Sequence, residues 1–494
     1  MTNQAPILII VIPLIAALIT PLIGRINNRL CFFWVFSALA VSGAFSVITF
    51  YQVLTGGVIH YSLGNWSPPW GIEFVVDYLN GMMLILVSAV ALLVALYSKK
   101  SIEQEVPGKT AFYTIFLLQV IGFLGIVITG DLFNLYVFLE IASLAGYGLI
   151  AIGEKGALIA SFRYIIMGTV GACFYLLGVG YLYMVTGSLN IADVATILPS
   201  LYTSKVVLVA FAFFMVGIAI KMALFPLHVW LPDAYTRAPS TVSALLAPLM
   251  TKVSIYVMIR IMFTVFKPSF ATETLPVARI MVWVGIAAII AGAIMALAQT
   301  DFKRMLCYII IAEVGYMVGG IGLANSIAMK GAILHLLNDA VMTLGLFLVA
   351  GIVKYKFQFH NISNFEACFR KIPLTMICFV ILALSIIGVP PTGGFFSKWY
   401  LIQGAVISQN WSFVIALLGS SLINVILFFR IIEIGYVFHL ADDKHPDAEE
   451  QIKINEAPFT MLLPTLTVAI AIIFIGLYNQ EIVKNIIQFA VPEF

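Results

Sequence analysis

Charged residues are scarce in this sequence, and their scarcity excludes most soluble folds. Aspartate, glutamate, lysine and arginine make up only 10% of the 494 residues, whereas 62% are hydrophobic. Soluble domains usually carry roughly 25% charged residues. Nearly every stretch of about 20 residues is apolar enough to cross a bilayer core of about 30 Å as a helix, and β-barrel alternation is absent. The composition therefore predicts an all-α integral membrane protein.

Signatures of cofactors and of nucleic-acid binding are lacking as well. The five cysteines are scattered singly without a C-x-x-C pair, so the sequence has no haem, zinc or iron–sulfur signature and no disulfide framework. A formal net charge of +3 is too small to indicate binding to nucleic acid. No cofactor is expected, and the sequence leaves open whether a metal is bound.

The hydrophobic pattern predicts about fourteen transmembrane spans. In chain order they lie near 5–23, 30–52, 76–98, 112–129, 131–153, 160–186, 205–227, 240–263, 276–298, 304–325, 328–353, 374–407, 411–438 and 458–478. The loop between spans 2 and 3 has no lysine or arginine, and we assign it no chemistry.

Basic residues are distributed unequally between the loops. The odd-numbered loops hold about sixteen lysines and arginines and the even-numbered loops about four. Because cytoplasmic loops carry the excess of basic residues, this bias predicts a cell-membrane protein with both termini on the outer side. The acidic segment 441–456 then lies inside, as a solvated connection or as a docking surface for a partner subunit.

A few ionisable side chains remain inside the predicted spans. A charged group at the bilayer centre costs about 2.5–3.5 kcal/mol even on a lenient scale, so such residues are candidates for ion transport. The strongest candidates are three lysines in three separate spans and an acid in span 5: Lys221, Lys252, Lys398 and Glu140. Glu313 and Asp339 are further acids of this kind. A static ion pair of Glu140 with Lys221, which would only lock two helices together, is the alternative.

Helix-breaking residues lie beside two of these lysines. Lys221 is followed by Pro226, and Lys398 is preceded by Pro390, Pro391, Gly393 and Gly394. Breaks at membrane depth mark cavities and ion paths, so spans 7 and 12 are predicted to be discontinuous.

The two breaks lie five spans apart, which suggests an internal repeat of spans 4–8 against spans 9–13. On this interpretation Lys221 corresponds to Lys398, and Glu140 corresponds more weakly to Glu313. The predicted division is 1–110 for the first three spans, 111–265 and 266–440 for the two repeats, and 441–494 for the acidic loop and span 14.

Two histidines are further candidates. His335 and Asp339 are four residues apart and share one face of span 11. A histidine titrating near pH 6.5 can relay protons, but a satisfied core histidine is about as common. His228, close behind Pro226, is either a second relay or a residue of the inner interface.

Five sequence motifs occur together in this chain. They are DLFNLYVFLE at 131–140, FPLHVWLPDA at 225–234, TVSALL at 241–246, DFKR at 301–304 and GVPPTGGFFSKW at 388–399. In this combination the chain resembles the antiporter-like subunits shared by respiratory complex I, membrane-bound hydrogenases and Mrp-type multi-subunit cation/proton antiporters. By length, and because no long lateral helix follows span 14, it is most similar to the D-type subunit of Mrp antiporters.

The resemblance implies two inverted five-helix repeats and a central polar axis through Glu140, Lys221, Lys252, His335 and Lys398. It also implies other membrane subunits as partners, with protons and a monovalent cation, Na⁺, as the transported ions. In this scheme Lys221 is the proton-switching lysine, Glu140 modulates it, Lys252 connects the two halves and Lys398 ends the second half-channel.

The chain departs from the family in span 11, where Asp339 and Thr343 stand at places that often hold a histidine and a lysine. Two functions remain open on the sequence. One is a secondary transporter subunit rather than an enzyme, and the other is the proton-pumping membrane subunit of a redox complex.

Overall fold

The computed structural model describes residues 4–271, 276–442 and 454–492, and helices dominate it. The helices of the first half are α1 (Ala5–Ile26), α2 (Asn28–Gly56), α3 (Tyr78–Glu105), α4 (Lys109–Ile128), α5 (Leu132–Ala151), α6 (Ala157–Thr186), α7 (Ile191–Ile197), α8 (Lys205–Lys221), α9 (Trp230–Arg237), α10 (Ser240–Ile259) and α11 (Lys267–Ser269). Those of the second half are α12 (Val277–Leu297), α13 (Phe302–Gly322), α14 (Ser326–Phe357), α15 (Glu366–Lys371), α16 (Pro373–Ile387), α17 (Gly393–Ile407), α18 (Trp411–Asp442), α19 (Phe459–Leu477), α20 (Asn479–Ile482) and α21 (Gln488–Ala490).

Among the described residues, twelve helices are long and apolar enough to cross a membrane. They are α1 to α6, α10 with its π-helical extension to Val265, α12 to α14, α18 and α19. The pairs α8–α9 and α16–α17 supply two further, interrupted spans. The protein is thus a multi-pass membrane protein, and the prediction of about fourteen spans is confirmed.

The inverted repeat has a local signature at equivalent places in the two halves. Asp131 caps α5 by accepting the N–H of Asn134, and Asp301 caps α13 by accepting the N–H of Arg304. Each aspartate also forms an antiparallel backbone bridge to a later segment, at Asn190 and at Asn361 respectively. The residue limits assigned to the two repeats above remain a prediction.

Both predicted breaks are present, and their free backbone groups find partners. The chain leaves α8 at Lys221 and starts α9 only at Trp230, whose indole N–H donates to the Ile220 carbonyl at 3.0 Å. It leaves α16 at Ile387 and starts α17 at Gly393, whose carbonyl accepts from the Asn338 side chain at 2.7 Å. Such partners are required because no water is available in a bilayer core.

Three central helices carry the deepest side chains. In α10 the membrane window is entirely buried, and in α13 and α14 94% of it is buried, whereas in α1 and α2 only 33% is buried. Leucines and isoleucines of the outer helices are exposed at the protein surface, where lipid is expected to lie. Lys252 on α10, Glu313 on α13 and Asp339 on α14 are therefore enclosed by protein.

The connection between α2 and α3 is more ordered than the sequence suggested. It holds an antiparallel hairpin of β1 (Ile59–Ser62) and β2 (Glu73–Val76), with Ile59 opposite Val76. Each strand has only four residues, which is too short for an alternation signal to stand out. Of the acidic segment 441–456, residues 443–453 lie outside the described residues.

Candidate functional site

The first element of the site is Lys221, the last residue of α8. Its side chain is 3% exposed, and its ammonium lies 3.8 Å from the Glu140 carboxylate of α5, which is 26% exposed. The ammonium also donates to the Ser143 hydroxyl at 2.6 Å, and Ser143 in turn donates to the Leu139 carbonyl. Lys221 is thus held mainly by a neutral hydroxyl, with its carboxylate partner in looser contact.

The second element is an ion pair at the centre of the helix bundle. The Lys252 ammonium of α10 lies 2.7 Å from the Asp339 carboxylate of α14, and both side chains are fully buried. Lys252 also donates to the Ala247 carbonyl at 3.4 Å. Thr343 donates to the second Asp339 oxygen at 2.8 Å. Asp339 and Thr343 therefore act together, since Thr343 holds the carboxylate that pairs with Lys252.

The third element joins α13, α14 and α17 through His335. Its Nε2 lies 2.6 Å from a Glu313 carboxylate oxygen, and its Nδ1 lies 2.9 Å from the Ser397 hydroxyl. Ser397 donates its own hydrogen to the Gly394 carbonyl, so Nδ1 must be the donor to Ser397. A proton then occupies the short contact between Nε2 and Glu313, carried either by an imidazolium or by a protonated carboxyl group.

The fourth element is Lys398 of α17, which is 4% exposed. Its ammonium donates to the Ile386 carbonyl at 2.5 Å and to the Ser421 hydroxyl at 3.2 Å. It also lies 5.0 Å from the centre of the Tyr316 ring. The Ile386 carbonyl belongs to the C-terminal end of α16, where the helix dipole is negative and stabilises a cation. Within the described residues no carboxylate forms an ion pair with Lys398.

Lys221 and Lys398 lie differently with respect to their helix breaks. Lys221 lies five residues before Pro226, whereas Lys398 lies seven residues after Pro391, so they occupy opposite sides of their helix breaks. Lys398 nevertheless reaches back to the end of α16, the helix that matches α8 in the other repeat. Each repeat therefore has a lysine at the C-terminal end of its interrupted helix, α8 or α16. In the first repeat that lysine belongs to the helix itself, and in the second it comes from the helix after the break.

The two acids of the repeats are also displaced. Glu140 is the ninth residue after its helix cap Asp131, and Glu313 is the twelfth after Asp301. The difference of three residues is about one helical turn. The two acids therefore lie on similar faces of their helices, but Glu313 lies one turn further from its cap. This displacement brings Glu313 to His335.

We call these four elements the line of polar groups. It contains three lysines, Lys221, Lys252 and Lys398, and three acidic residues, Glu140, Asp339 and Glu313, of which Glu313 shares a proton with His335. His335 and Asp339 lie one turn apart on α14, about 6 Å along the helix. A small void between Lys221 and residues Ser254 and Val257 of α10 lies between the first element and the helix that carries Lys252.

His228 stands apart from this line. It is buried in the break between α8 and α9 and stacks on Phe225, with ring centres 5.3 Å apart. Its Nδ1 finds no hydrogen-bond partner within the described part of the chain. Of the two histidines predicted as relays, His335 is the one that contacts a carboxylate of the line.

Sequence reasoning missed the hydroxyl groups of the site. They are Ser143 beside Lys221, Ser397 beside His335, and Tyr316 and Ser421 beside Lys398. Two of them could have been identified from the sequence. Ser143 follows Glu140 by three residues on the same helix face, and Ser397 directly precedes Lys398. No group of three or more His, Cys, Asp or Glu placed to hold a metal ion occurs among the residues that the structure covers.

The family model for the transmembrane region of NADH:quinone oxidoreductase and Mrp antiporters matches residues 129–424. The N-type subunit of NADH-quinone oxidoreductase from Desulforudis audaxviator is 44% identical over 500 residues, covering 100% of this chain and 99% of that protein. The D-type subunit of the Na⁺/H⁺ antiporter from Alkalihalophilus pseudofirmus is 33% identical, covering 92% and 91%.

Solved structures show the same architecture. The chain superimposes on one from an archaeal respiratory membrane complex, the membrane-bound sulfane sulfur reductase, with a TM-score of 0.90, 27% identity, and coverage of 98% and 96%. A chain of the Mrp complex from a Dietzia species gives a TM-score of 0.86 with 24% identity and coverage of 99% and 97%, a likeness of fold alone. Together with the relatives from Na⁺/H⁺ antiporters, these matches show that the chain belongs to the NADH:quinone oxidoreductase/Mrp antiporter transmembrane family of proton-translocating membrane subunits.

Proposed function

We propose that this chain is the proton-translocating subunit of a multi-subunit cation/proton antiporter, with Na⁺ as the exchanged cation. The observation that carries the proposal is the line of lysines and carboxylates from Glu140 on α5 to Lys398 on α17, which passes two interrupted helices. Charged groups are expensive to place inside a membrane, so a static scaffold has no need of such a line.

The contacts suggest how protons pass along the line. Lys221 is held by a hydroxyl and only loosely by Glu140, so its charge is free to change without breaking a tight ion pair. Asp339 holds Lys252 tightly, so protonation of Asp339 would release Lys252 to attract a different anion. The proton between His335 and Glu313 is the next carrier, and Lys398, which directly follows Ser397 in the sequence, is the last lysine of the line.

The assembly and orientation are part of the same proposal. The partners are other membrane subunits of an antiporter complex in the cell membrane, and both termini lie on the outer side. The positive-inside bias supports this orientation. Relatives named as Na⁺/H⁺ antiporter subunits, at 30–33% identity, support the antiporter assignment.

A second candidate function rests on the relative that is 44% identical, which is named as a subunit of NADH-quinone oxidoreductase. In that case the same line would pump protons, and redox chemistry in partner subunits would drive it. The subunits that co-purify with the native chain separate the two candidates, because only a redox complex brings flavin or iron–sulfur proteins with it.

Transport by the reconstituted native complex tests the proposal. We expect Na⁺-dependent pH change in proteoliposomes, and we expect Lys221→Ala or Glu140→Ala to abolish it. Lys205→Ala is the matched control, since Lys205 is the exposed first residue of the same helix α8 and should leave transport unchanged. Full antiport by the Lys221→Ala complex would refute the proposed role of the line.

A further inference from the structure

The short helix α9 joins the break after Lys221 to the second repeat. It consists of the eight residues Trp230–Arg237 and leads directly to α10. Its first residue, Trp230, is buried and donates its indole N–H to the Ile220 carbonyl at 3.0 Å, directly before Lys221. Trp230 also stacks on Tyr164 of α6, with ring centres 4.2 Å apart. The beginning of α9 is therefore fixed to the backbone that carries Lys221.

Asp233, in the first turn of α9, contacts both repeats. One oxygen of its carboxylate lies 2.7 Å from the Arg163 guanidinium of α6, which belongs to the first repeat. The other oxygen lies 3.4 Å from the Arg304 guanidinium of α13, which belongs to the second repeat. Guanidinium groups match the planar geometry of a carboxylate. A single acid thus fixes α9 to both halves of the molecule.

Two further contacts join the end of α9 to α13. The Thr236 hydroxyl lies 3.9 Å from the Cys307 thiol. Lys303 is 2% exposed, and its ammonium donates to the carbonyl of Ala238, the residue after α9, at 2.7 Å. A buried charge is costly without a hydrogen-bond partner, so this contact resists separation of α9 from α13. We call these two contacts and the ion pair of Asp233 with α13 the α9–α13 contacts.

The backbone between α8 and α9 is strained. Ala223, two residues after Lys221, is buried and has a φ of 57°, in the left-handed region. A Cβ makes this conformation unfavourable, and such residues persist only where the surrounding structure imposes them, often in switch regions. Ala223 thus lies where a hinge is expected, between the lysine and α9.

We propose that α9 couples the two repeats mechanically, with Asp233 as the positioning residue of this coupling. A change of charge at Lys221 alters the break, and the α9–α13 contacts carry the movement of α9 to α13. Glu313 lies on α13 nine residues beyond Arg304, or about 14 Å. The second repeat then responds to Lys221 through packed helices, in addition to any effect along the line of polar groups.

The inference rests on the proposed function for its physiological meaning, but its test measures conformation rather than transport. Amide hydrogen exchange of the intact complex is followed by mass spectrometry over residues 302–308, the first two turns of α13. We expect Lys221→Gln, which removes the charge at the break, to change exchange of this segment about fivefold or more. In an Asp233→Asn background the same substitution should leave the segment unchanged. Residues 459–465, at the start of α19, should not respond in either background.

Arg237→Gln is the matched control. Arg237 is also a charged residue of α9, but its guanidinium donates to the Lys155 carbonyl between α5 and α6, within the first repeat. The response of α13 to Lys221→Gln should therefore persist in this variant, and also in Asp233→Glu, which keeps the carboxylate. Arg304→Gln removes the ion pair from the side of α13 and should abolish the response, so it replaces Asp233→Asn if that variant does not assemble.

A disulfide provides a second test. Thr236→Cys places a thiol beside the native Cys307, in a background with Ser in place of the exposed Cys173. Oxidation of the two thiols by copper phenanthroline joins α9 to α13 covalently. In the Asp233→Asn complex this bond should restore the response of α13 to Lys221→Gln, and reduction by dithiothreitol should remove the response again.

Equal responses of α13 with and without Asp233→Asn would overturn the inference, since the change would then travel along the line of polar groups. Absence of a response in the parent complex would overturn it as well, and so would loss of the response in Arg237→Gln. Failure of the proposed function would look different: the exchange pattern would persist in a complex without Na⁺-dependent antiport.

Discussion

The ion pair between Lys252 and Asp339 allows the structural and transport roles of one contact to be separated. At 2.7 Å and an effective dielectric constant of about 20, the attraction is about 6 kcal/mol, before the cost of burying both charges is subtracted. Asp339→Ala leaves a fully buried ammonium without its partner, which costs about 3–5 kcal/mol. The Thr343 hydroxyl also loses its acceptor, at about 1 kcal/mol.

We therefore expect Asp339→Ala to lower the free energy of unfolding of the detergent-solubilised chain by about 3–5 kcal/mol. The double variant Lys252→Met with Asp339→Leu removes both charges and fills the same volume, so most of this stability should return while transport stays lost. Glu481→Ala removes an exposed carboxylate and should change stability by less than about 0.5 kcal/mol. The measurement is an unfolding titration monitored by fluorescence.

Two results would contradict the role assigned to this pair. One is an Asp339→Ala chain as stable as the parent, which would mean that Lys252 is not held as the structure shows. The other is full antiport by the double variant, which would make the central pair a structural contact rather than part of the proton route.

Other contacts carry three further predictions. Gly394→Ala should prevent assembly of the chain, because a Cβ at this position would lie 2.0 Å from a backbone carbonyl oxygen of α16. Gly419→Ala places its Cβ in open space and should be tolerated. The amount of each variant recovered in the membrane tests both expectations. Ser397→Ala should slow antiport and cost about 1–3 kcal/mol, because the donor Nδ1 of a buried histidine loses its partner, and Ser397→Thr should restore the rate. Glu154 lies outside the spans; burial raises its pKa, but the ion pair with Lys354 outweighs this and holds the pKa below its ordinary value of 4.5. Its stabilising contribution is thus present above that value and lost as the pH falls through the lowered pKa, and Glu154→Gln should remove this acid dependence from melting curves.

Much of the fold was predictable because membrane spans are encoded locally. A span needs about 20 apolar residues whatever its neighbours are, so the positions of the helices follow from hydropathy alone. The two breaks were predictable for a similar reason, since proline and glycine interrupt a helix by their own chemistry. The hairpin was not, because it depends on the pairing of two short strands and on a bridge from Phe74 to Thr129 in the connection between α4 and α5.

The candidate residues were predictable individually but not as pairs. A lysine inside an apolar span stands out in any sequence, which is why Lys221, Lys252 and Lys398 were identified. Their partners depend on which helices pack together and at what height. Sequence spacing therefore suggested Lys398 as the counterpart of Lys221, and only the structure shows that Lys398 reaches back across its break to the Ile386 carbonyl.

Sequence alone established that the chain is a helical membrane protein, where its spans and breaks lie, and that Lys221, Lys252 and Lys398 lie within the spans. Each of these properties comes from the solvation cost of a local segment. Tertiary packing, in contrast, established that Asp339 meets Lys252, that Glu313 meets His335, and that Lys398 is held by carbonyl and hydroxyl oxygens. Contacts between residues distant in the chain depend on the rotation and height of packed helices, and a shift of one turn is enough to exchange one partner for another.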